Sequence, residues 1–126
     1  MSQLNSILVG VDFSESSEAA LRQAMRIGAF TQAKVSVVHV VETLLTISLY
    51  ETISVMQESI TEGLKEEGRE RWKAFSSAIP GAASLPFDVE VNSTTAALSR
   101  RADEAQAGLL VLGARGLHVK KGVGPV

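Results

Sequence analysis

The 126-residue sequence contains no cysteine. Disulfides, thiolate nucleophiles, iron–sulfur clusters and zinc sites with Cys ligands are therefore excluded. The first residues, MSQLNS, are polar and lack the basic start and apolar stretch of an export signal. Because a chain without cysteine also suits a reducing compartment, we expect a cytoplasmic protein.

A strong excess of one charge sign is also lacking, since 12 Lys and Arg residues stand against 14 Asp and Glu residues for a formal net charge of -2. Such a balance provides no broad electrostatic field for nucleic acid. The longest apolar runs, near residues 35–41 and 109–112, fall far short of the ~20 residues needed to span a bilayer. We therefore expect neither a nucleic-acid nor a membrane partner.

What the sequence does contain is an ordinary globular composition, with 45% hydrophobic and 21% charged residues. A chain of this length fits one hydrophobic core. No internal repeat or low-complexity segment interrupts it. The sequence thus predicts a single domain over residues 1–126.

Four segments have the apolar, β-branched composition of strands: residues 7–11, 34–41, 86–91 and 109–112. The first, ILVGV, is apolar throughout, which is typical of a strand buried on both faces of a parallel sheet. The third, PFDVEV, alternates apolar and polar residues and so predicts a strand with one exposed face.

The intervening segments have the spacing of helices. The first helix is predicted to run to about Ala29, a long second helix runs from about Leu49 to before Pro80, and a short third helix is capped within 92–94. Residues 42–50 are predicted as a loop or helix lead-in. This alternation predicts an α/β fold with an open, Rossmann-like parallel sheet, helices on both faces and right-handed crossovers.

Ligands of open α/β sheets bind beyond the carboxyl ends of the strands, where the strand order reverses. Three residues occupy such ends: Asp12 after the first strand, Val40 in the second and Gly113 after the fourth. Asp12 has two interpretations that the sequence leaves open. Its carboxylate could hydrogen-bond a ribose or adenine group, or it could cap the helix that follows.

The segment after the fourth strand is rich in glycine and basic residues. Gly113 and Gly116 flank Ala114-Arg115, and glycines let a backbone approach a ligand's phosphates closely. The cationic candidates in this segment are Arg115, His118, Lys120 and Lys121. Their concentration favours a phosphate site, while the alternative is a solvated loop with incidental basic residues.

The two histidines and an aromatic pair are further candidates for a functional role, but their sequence context favours a structural role. His39 lies among valines of the second strand, where we expect a structural histidine, and His118 has no neighbouring acid or nucleophile to form a catalytic arrangement. Trp72 and Phe75 stand at near-helical spacing. We interpret them as core or interface residues rather than a base-stacking platform.

Established nucleotide signatures are missing. No G-x-x-x-x-G-K-[ST] occurs, and no G-x-G-x-x-G follows the first strand. Phosphate-loop hydrolases and dinucleotide-dependent dehydrogenases are therefore not supported. A phosphoacceptor receiver domain would need further acids near the third strand, where residues 92–94 are Asn-Ser-Thr.

The stretches ILVGVDFSESSEAALRQA and LLVLGARG, residues 7–24 and 109–116, resemble the opening and the strand-plus-glycine segment of universal stress proteins. The similarity continues through KVSVVHVVE of the second strand and the long middle helix. The resemblance implies an open five-stranded sheet, with these four strands in the order 3-2-1-4, and frequent dimerisation.

One subgroup of that family binds ATP. The resemblance implies that the corresponding binding residues in this sequence are Asp12, Val40, Gly113 and Gly116. In the subgroup's loop, nine residues separate the second glycine, here Gly116, from a third glycine, and this sequence has Val126 at the third position. The candidates to replace the third glycine in a shifted phosphate loop are Gly122 and Gly124. Arg115 is a further candidate contact of the phosphates. Because the fifth strand is also absent, the fourth would form an uncovered edge. We expect the natural chain to be longer.

The resulting hypothesis is a regulatory protein of the stress response that binds an adenine nucleotide, ATP or AMP, with Mg²⁺ only if ATP is bound. The alternative is a nucleotide-free module of the same fold that forms homodimers and docks protein partners. Slow ATP hydrolysis stays open, although no catalytic base is identifiable. A hydrolase that uses His118 lacks supporting residues.

Overall fold

The computed structural model describes residues 4–42 and 47–113, and of residues 47–58 the backbone alone. In chain order the elements are β1 Ser6–Gly10, α1 Glu15–Thr31, β2 Lys34–Val41, α2 Ile47–Ser77, a 3-10 turn Ala82–Ser84, β3 Phe87–Val91, α3 Thr94–Ala105 and β4 Leu109–Leu112. The predicted alternation of strands and helices is confirmed.

The four strands form one parallel sheet in the order β3-β2-β1-β4. In the register, Ile7 of β1 lies opposite Val35 of β2 on one side and Leu109 of β4 on the other. The predicted strand order 3-2-1-4 is therefore confirmed. The chain first builds outward from β1 to β3 and then returns to the other side of β1, so the order reverses between β1 and β4.

Helices cover both faces of the sheet, as predicted. Successive side chains of a strand point to opposite faces, so Ile7 and Val9 face one layer while Leu8 faces the other. The first layer contains α1 and α2, and its buried residues include Leu21, Ala24, Val37, Trp72 and Ile79. The second contains α3, whose Leu98 packs with Leu8 and Val38.

The observed helix ends differ from the predicted ones by a few residues. α1 continues to Thr31 and ends on Gln32, which has a left-handed φ of 66°. α2 begins at Ile47, two residues before its predicted start near Leu49, while residues 43–46 of the predicted loop or helix lead-in lie outside the described residues. The glycine-rich tail predicted as a loop spans 113–126, and its residues 114–126 also lie outside the described residues.

Candidate functional site

A cavity of about 230 Å³ opens at the carboxyl edge of the sheet, where the strand order reverses. Its walls come from the ends of β1, β2 and β4, the first turn of α1 and the start of α3. The lining residues are Gly10, Val11, Asp12, Ser17, Val38, Val40, Thr94, Leu98, Leu112 and Gly113. Three otherwise distant strand ends meet here because all strands are parallel.

The sequence-predicted residues within the described ranges meet at this cavity. Asp12, Val40 and Gly113 all line it, although they come from three different strand ends. The other four predicted binding residues, Arg115, Gly116, Gly122 and Gly124, lie outside the described residues, as does His118. The structure thus groups the first three, and their binding role stays a prediction.

Seven lining residues were not predicted as site residues: Gly10, Val11, Ser17, Val38, Thr94, Leu98 and Leu112. Val38 had a usable signal, because residues two apart on a strand share a face and Val40 had been singled out. Thr94 and Leu98 had none, since their place depends on where α3 packs against the sheet.

Asp12 does not cap α1 itself. Its Oδ1 accepts a hydrogen bond from the backbone N–H of Ser14 at 3.0 Å. Ser14 is the N-cap residue, and its Oγ accepts the N–H of Ser17 at 3.1 Å. Of the two interpretations of Asp12, the capping function therefore falls to Ser14, while Asp12 fixes the cap residue and remains exposed at the cavity.

The Asp12 carboxyl is ionised at neutral pH. Partial burial raises its pKa, but hydrogen bonds from Ser14 outweigh that effect, and the pKa lies below the usual value of an aspartate. An ionised carboxylate only accepts hydrogen bonds. The cavity therefore presents an acceptor that suits ligand hydroxyl or amino groups.

The two glycines of the cavity leave room for different neighbours. A Cβ on Gly113 would lie 2.8 Å from the backbone atoms Ser16 C and Ser17 N, so glycine lets the end of β4 approach the first turn of α1. A Cβ on Gly10 would lie 2.6 Å from Leu112 Cδ2 and 3.4 Å from Leu98 Cδ2. Gly10 thus keeps the apolar side of the cavity open.

Phe13, directly after Asp12, has a left-handed φ of 64°. A bulky residue adopts this conformation only when its surroundings enforce it. Its ring centroid lies 4.5 Å from that of His39 and 5.4 Å from that of Phe75, and the Arg71 guanidinium lies 4.7 Å above it. Tertiary packing of Phe13 thus sets the backbone that carries Asp12.

His39 has the structural role expected from the sequence. Its ring is buried, and Nδ1 lies 2.8 Å from the carbonyl oxygen of Val11, to which the neutral ring donates when its proton is on Nδ1. Because Val11 lines the cavity, this hydrogen bond fixes the carboxyl end of β1.

His39 gives the fold a pH dependence whose sign can be predicted. Burial lowers its pKa most strongly; the Val11 hydrogen bond opposes this, and nearby Arg71 lowers the pKa further. The unfolded chain therefore binds the proton more readily, so the contribution is fully present above about pH 6.5 and is lost as the pH falls from there through the folded-state pKa. We expect the free energy of unfolding, from urea titrations, to fall between about pH 7 and pH 5.

In His39→Gln this pH slope should flatten, because the titrating group is gone. His118→Gln, which removes the chain's other histidine, is the matched control and should keep it. An unchanged slope in His39→Gln would contradict the assignment.

Charged side chains hold α3 against β3 and so fix its position over the cavity. Arg101 Nε donates to Glu90 Oε1 at 2.9 Å and its Nη2 donates to Asp88 Oδ2 at 2.5 Å. Arg100 pairs with Glu90 and, at 2.7 Å, with Glu104. The Glu90 side chain is only 11% exposed, so it depends on these partners.

Among the lining residues that the structure describes, Asp12 is the only charged one. Residues 4–42 and 47–113 also contain no group of three His, Cys, Asp or Glu side chains that could hold a metal ion. Within the same ranges, no helix is both long and apolar enough to cross a membrane. The described cavity is thus an apolar cleft with one carboxylate at its rim.

The structure is similar to several solved proteins. UspA, a universal stress protein from Lactobacillus plantarum, is 25% identical with a TM-score of 0.60, over 90% of this chain and 79% of that one. A Mycobacterium tuberculosis protein is 26% identical with a TM-score of 0.52, over 90% and 73%. A universal stress protein in complex with cAMP is 27% identical with a TM-score of 0.51, over 86% and 71%. Among curated proteins, no match was found.

The family model of the universal stress proteins matches residues 4–124. The matched range contains every described element and all residues of the cavity. Fold and sequence comparison therefore agree, and the chain belongs to the universal stress protein family.

Proposed function

We propose that this protein binds an adenine nucleotide, ATP or AMP, in the cavity at the carboxyl edge of the sheet and acts as a cytoplasmic regulator in the stress response. One observation carries the proposal. Asp12, Val40 and Gly113, singled out from three separate strand ends, line the same cavity at the point where the strand order reverses.

The chemistry of the cavity fits the nucleoside part of such a ligand. Val38, Val40 and Leu98 form apolar walls for a flat base, and the ionised Asp12 can accept hydrogen bonds from ribose hydroxyls. The volume of about 230 Å³ lies below the roughly 300–1,000 Å³ of complete small-molecule pockets. The described walls therefore suit base and ribose, with the phosphates extending beyond them.

The phosphates are assigned to the segment that follows Gly113. Arg115, Gly116, Gly122 and Gly124 are the proposed contacts there, as glycine backbone and one guanidinium suit phosphate oxygens. Mg²⁺ would be bound together with ATP, because it is commonly held by substrate phosphates and one or two carboxylates. Asp12 is the carboxylate available among the described lining residues.

A similar protein supports the ligand class. The universal stress protein that is 27% identical to this chain was solved in complex with cAMP, an adenine nucleotide. Among the described lining residues, the only hydroxyls belong to Ser17 and Thr94, and that of Ser17 donates to the carbonyl of Ser14 at 3.1 Å. None of the lining residues within 4–42 and 47–113 is arranged as a catalytic base, so the proposal is binding rather than turnover.

Asp12→Ala is expected to weaken nucleotide binding about tenfold or more, because a hydrogen bond to a charged group contributes roughly 1.5–3 kcal/mol. Isothermal titration calorimetry with ATP, AMP and adenosine measures this loss. Asp103→Ala, which removes an exposed carboxylate near the other end of α3, is the control and should bind like the wild type.

Asp12→Asn separates a structural effect from a binding effect. Its side-chain oxygen can still accept the Ser14 N–H, so its melting temperature should match the wild type while its nucleotide affinity falls. If the wild type gives neither heat nor a thermal shift at millimolar nucleotide, the proposed function is wrong.

The second candidate is a homodimeric, nucleotide-free interaction module. The observation that favours it is β4, which lies at the edge of the described sheet. Its Leu110 is 39% exposed, while Leu8 beside it in the register is buried. Apolar surface at a sheet edge suits protein association. A dimer in light scattering, combined with no nucleotide binding, would favour this candidate.

A further inference from the structure

A carboxylate occupies the N-terminus of α3 next to the cavity. Glu42 directly follows β2, and its Oε2 accepts a hydrogen bond from the backbone N–H of Thr94 at 3.1 Å. Thr94 is the first residue of α3 and lines the cavity. The contact joins residues 52 positions apart and therefore depends on the completed fold.

This carboxylate changes the electrostatics of the helix end. The first turn of a helix carries unpaired N–H groups and a partial positive charge, which attract anions such as phosphate. In α3, Ser93 Oγ accepts the N–H of Ala96 at 3.3 Å and Glu42 accepts that of Thr94. Two donors are thus occupied from within the chain, and Glu42 adds a full negative charge.

The charges around the described rim have one sign. Asp12 on the β1 side is ionised, Glu42 lies behind Thr94 on the α3 side, and the described lining residues include no cation. A phosphate near α3 would meet repulsion instead of the attraction of a free helix end. On the Gly113 side, the first turn of α1 carries Glu15 and Glu18, of which Glu18 pairs with Arg22.

We propose that Glu42 is a specificity-determining residue of this site. Its negative charge disfavours phosphates at the start of α3, and it lowers the affinity for highly charged nucleotides relative to the uncharged nucleoside. The inference rests on the proposed nucleotide binding, and it goes further by assigning a charge preference to the site.

Glu42→Gln tests this inference. The amide oxygen can still accept the Thr94 N–H, so the start of α3 is kept while the charge is removed. By calorimetry without Mg²⁺, we expect the affinity for ATP to rise about twofold to fivefold, that for AMP to rise less, and that for adenosine to stay unchanged. The gain for ATP should shrink at high salt, because exposed charges are screened.

Asp103→Asn is the matched control, since it removes one exposed negative charge from the same helix about 14 Å further along its axis. Its ATP-to-adenosine affinity ratio should equal that of the wild type. An unchanged ratio in Glu42→Gln, or an equal change for ATP and adenosine, would overturn the charge preference while leaving nucleotide binding intact. If the wild type binds neither ligand, the proposed function fails and this inference fails with it.

Discussion

Replacing Gly113 with alanine is expected to lower the free energy of unfolding by about 3 kcal/mol, a large effect for one added methyl group. The new Cβ would lie 2.8 Å from Ser16 C and Ser17 N and 3.0 Å from Ser16 O. All three are backbone atoms of the first turn of α1, so no side-chain rotation can relieve the contact. Either β4 or α1 must move. Urea unfolding, followed by circular dichroism, measures the loss.

Gly10→Ala is the matched control for this prediction. Gly10 lines the same cavity, but the atoms that its Cβ would meet, Leu112 Cδ2 at 2.6 Å and Leu98 Cδ2 at 3.4 Å, belong to flexible side chains. We expect a cost of about 1 kcal/mol, because Leu112 can change rotamer. Equal losses in the two variants would show that the approach of β4 to α1 is not the cause.

Gly113 also shows that a glycine at the end of a strand can have more than one cause. The sequence suggested that Gly113 lets a backbone approach phosphate, whereas the structure shows that it lets a strand end approach a helix. Both requirements forbid a side chain, so weaker nucleotide binding in a Gly113 variant would not identify a ligand contact. Asp12 and Glu42 carry the functional tests instead, because conservative replacements there keep the local hydrogen bonds.

The fold could be predicted because its main signals are local. The apolar run of β1 predicted a strand buried on both faces, and Ile7, Leu8 and Val9 are all buried. The start of α2 was harder, since the apolar residues near 44–49 have neither charges nor clean helical spacing. The left-handed Phe13 had no local signal, because packing against His39 and Arg71 imposes it.

The candidate site was predictable to the extent that topology alone brings its parts together. Parallel strands place their carboxyl ends at one edge, which sufficed for Asp12, Val40 and Gly113. The α3 side of the cavity depends on long-range polar contacts: Arg101 with Glu90, and Glu42 with Thr94. These pairs are separated by 11 and 52 residues, and no short-range pattern reveals such partners.

Trp72 links the helical layer to the outer strand β3, and its replacement is expected to have the largest effect on stability. Its ring stacks on Phe87 with centroids 4.6 Å apart and an interplanar angle of 1°, and Trp72 is only 7% exposed. The core interpretation of Trp72 is therefore confirmed. β3 pairs only with β2 in the described sheet, so its attachment depends strongly on α2.

Trp72→Ala should lower the free energy of unfolding by about 3–5 kcal/mol, because it removes a large buried ring and leaves a cavity against Phe87. Trp72→Phe, which keeps an aromatic ring, should cost about 1 kcal/mol, and Lys73→Ala at the adjacent exposed position should cost less than about 0.5 kcal/mol. Circular dichroism during urea unfolding is the suitable measurement, since Trp72 is the only tryptophan. A Trp72→Ala variant as stable as Lys73→Ala would contradict the core assignment.

Because α3 follows β3 after two residues, loosening β3 should also displace Thr94. Trp72→Ala should therefore weaken nucleotide binding, although it replaces no residue that lines the cavity.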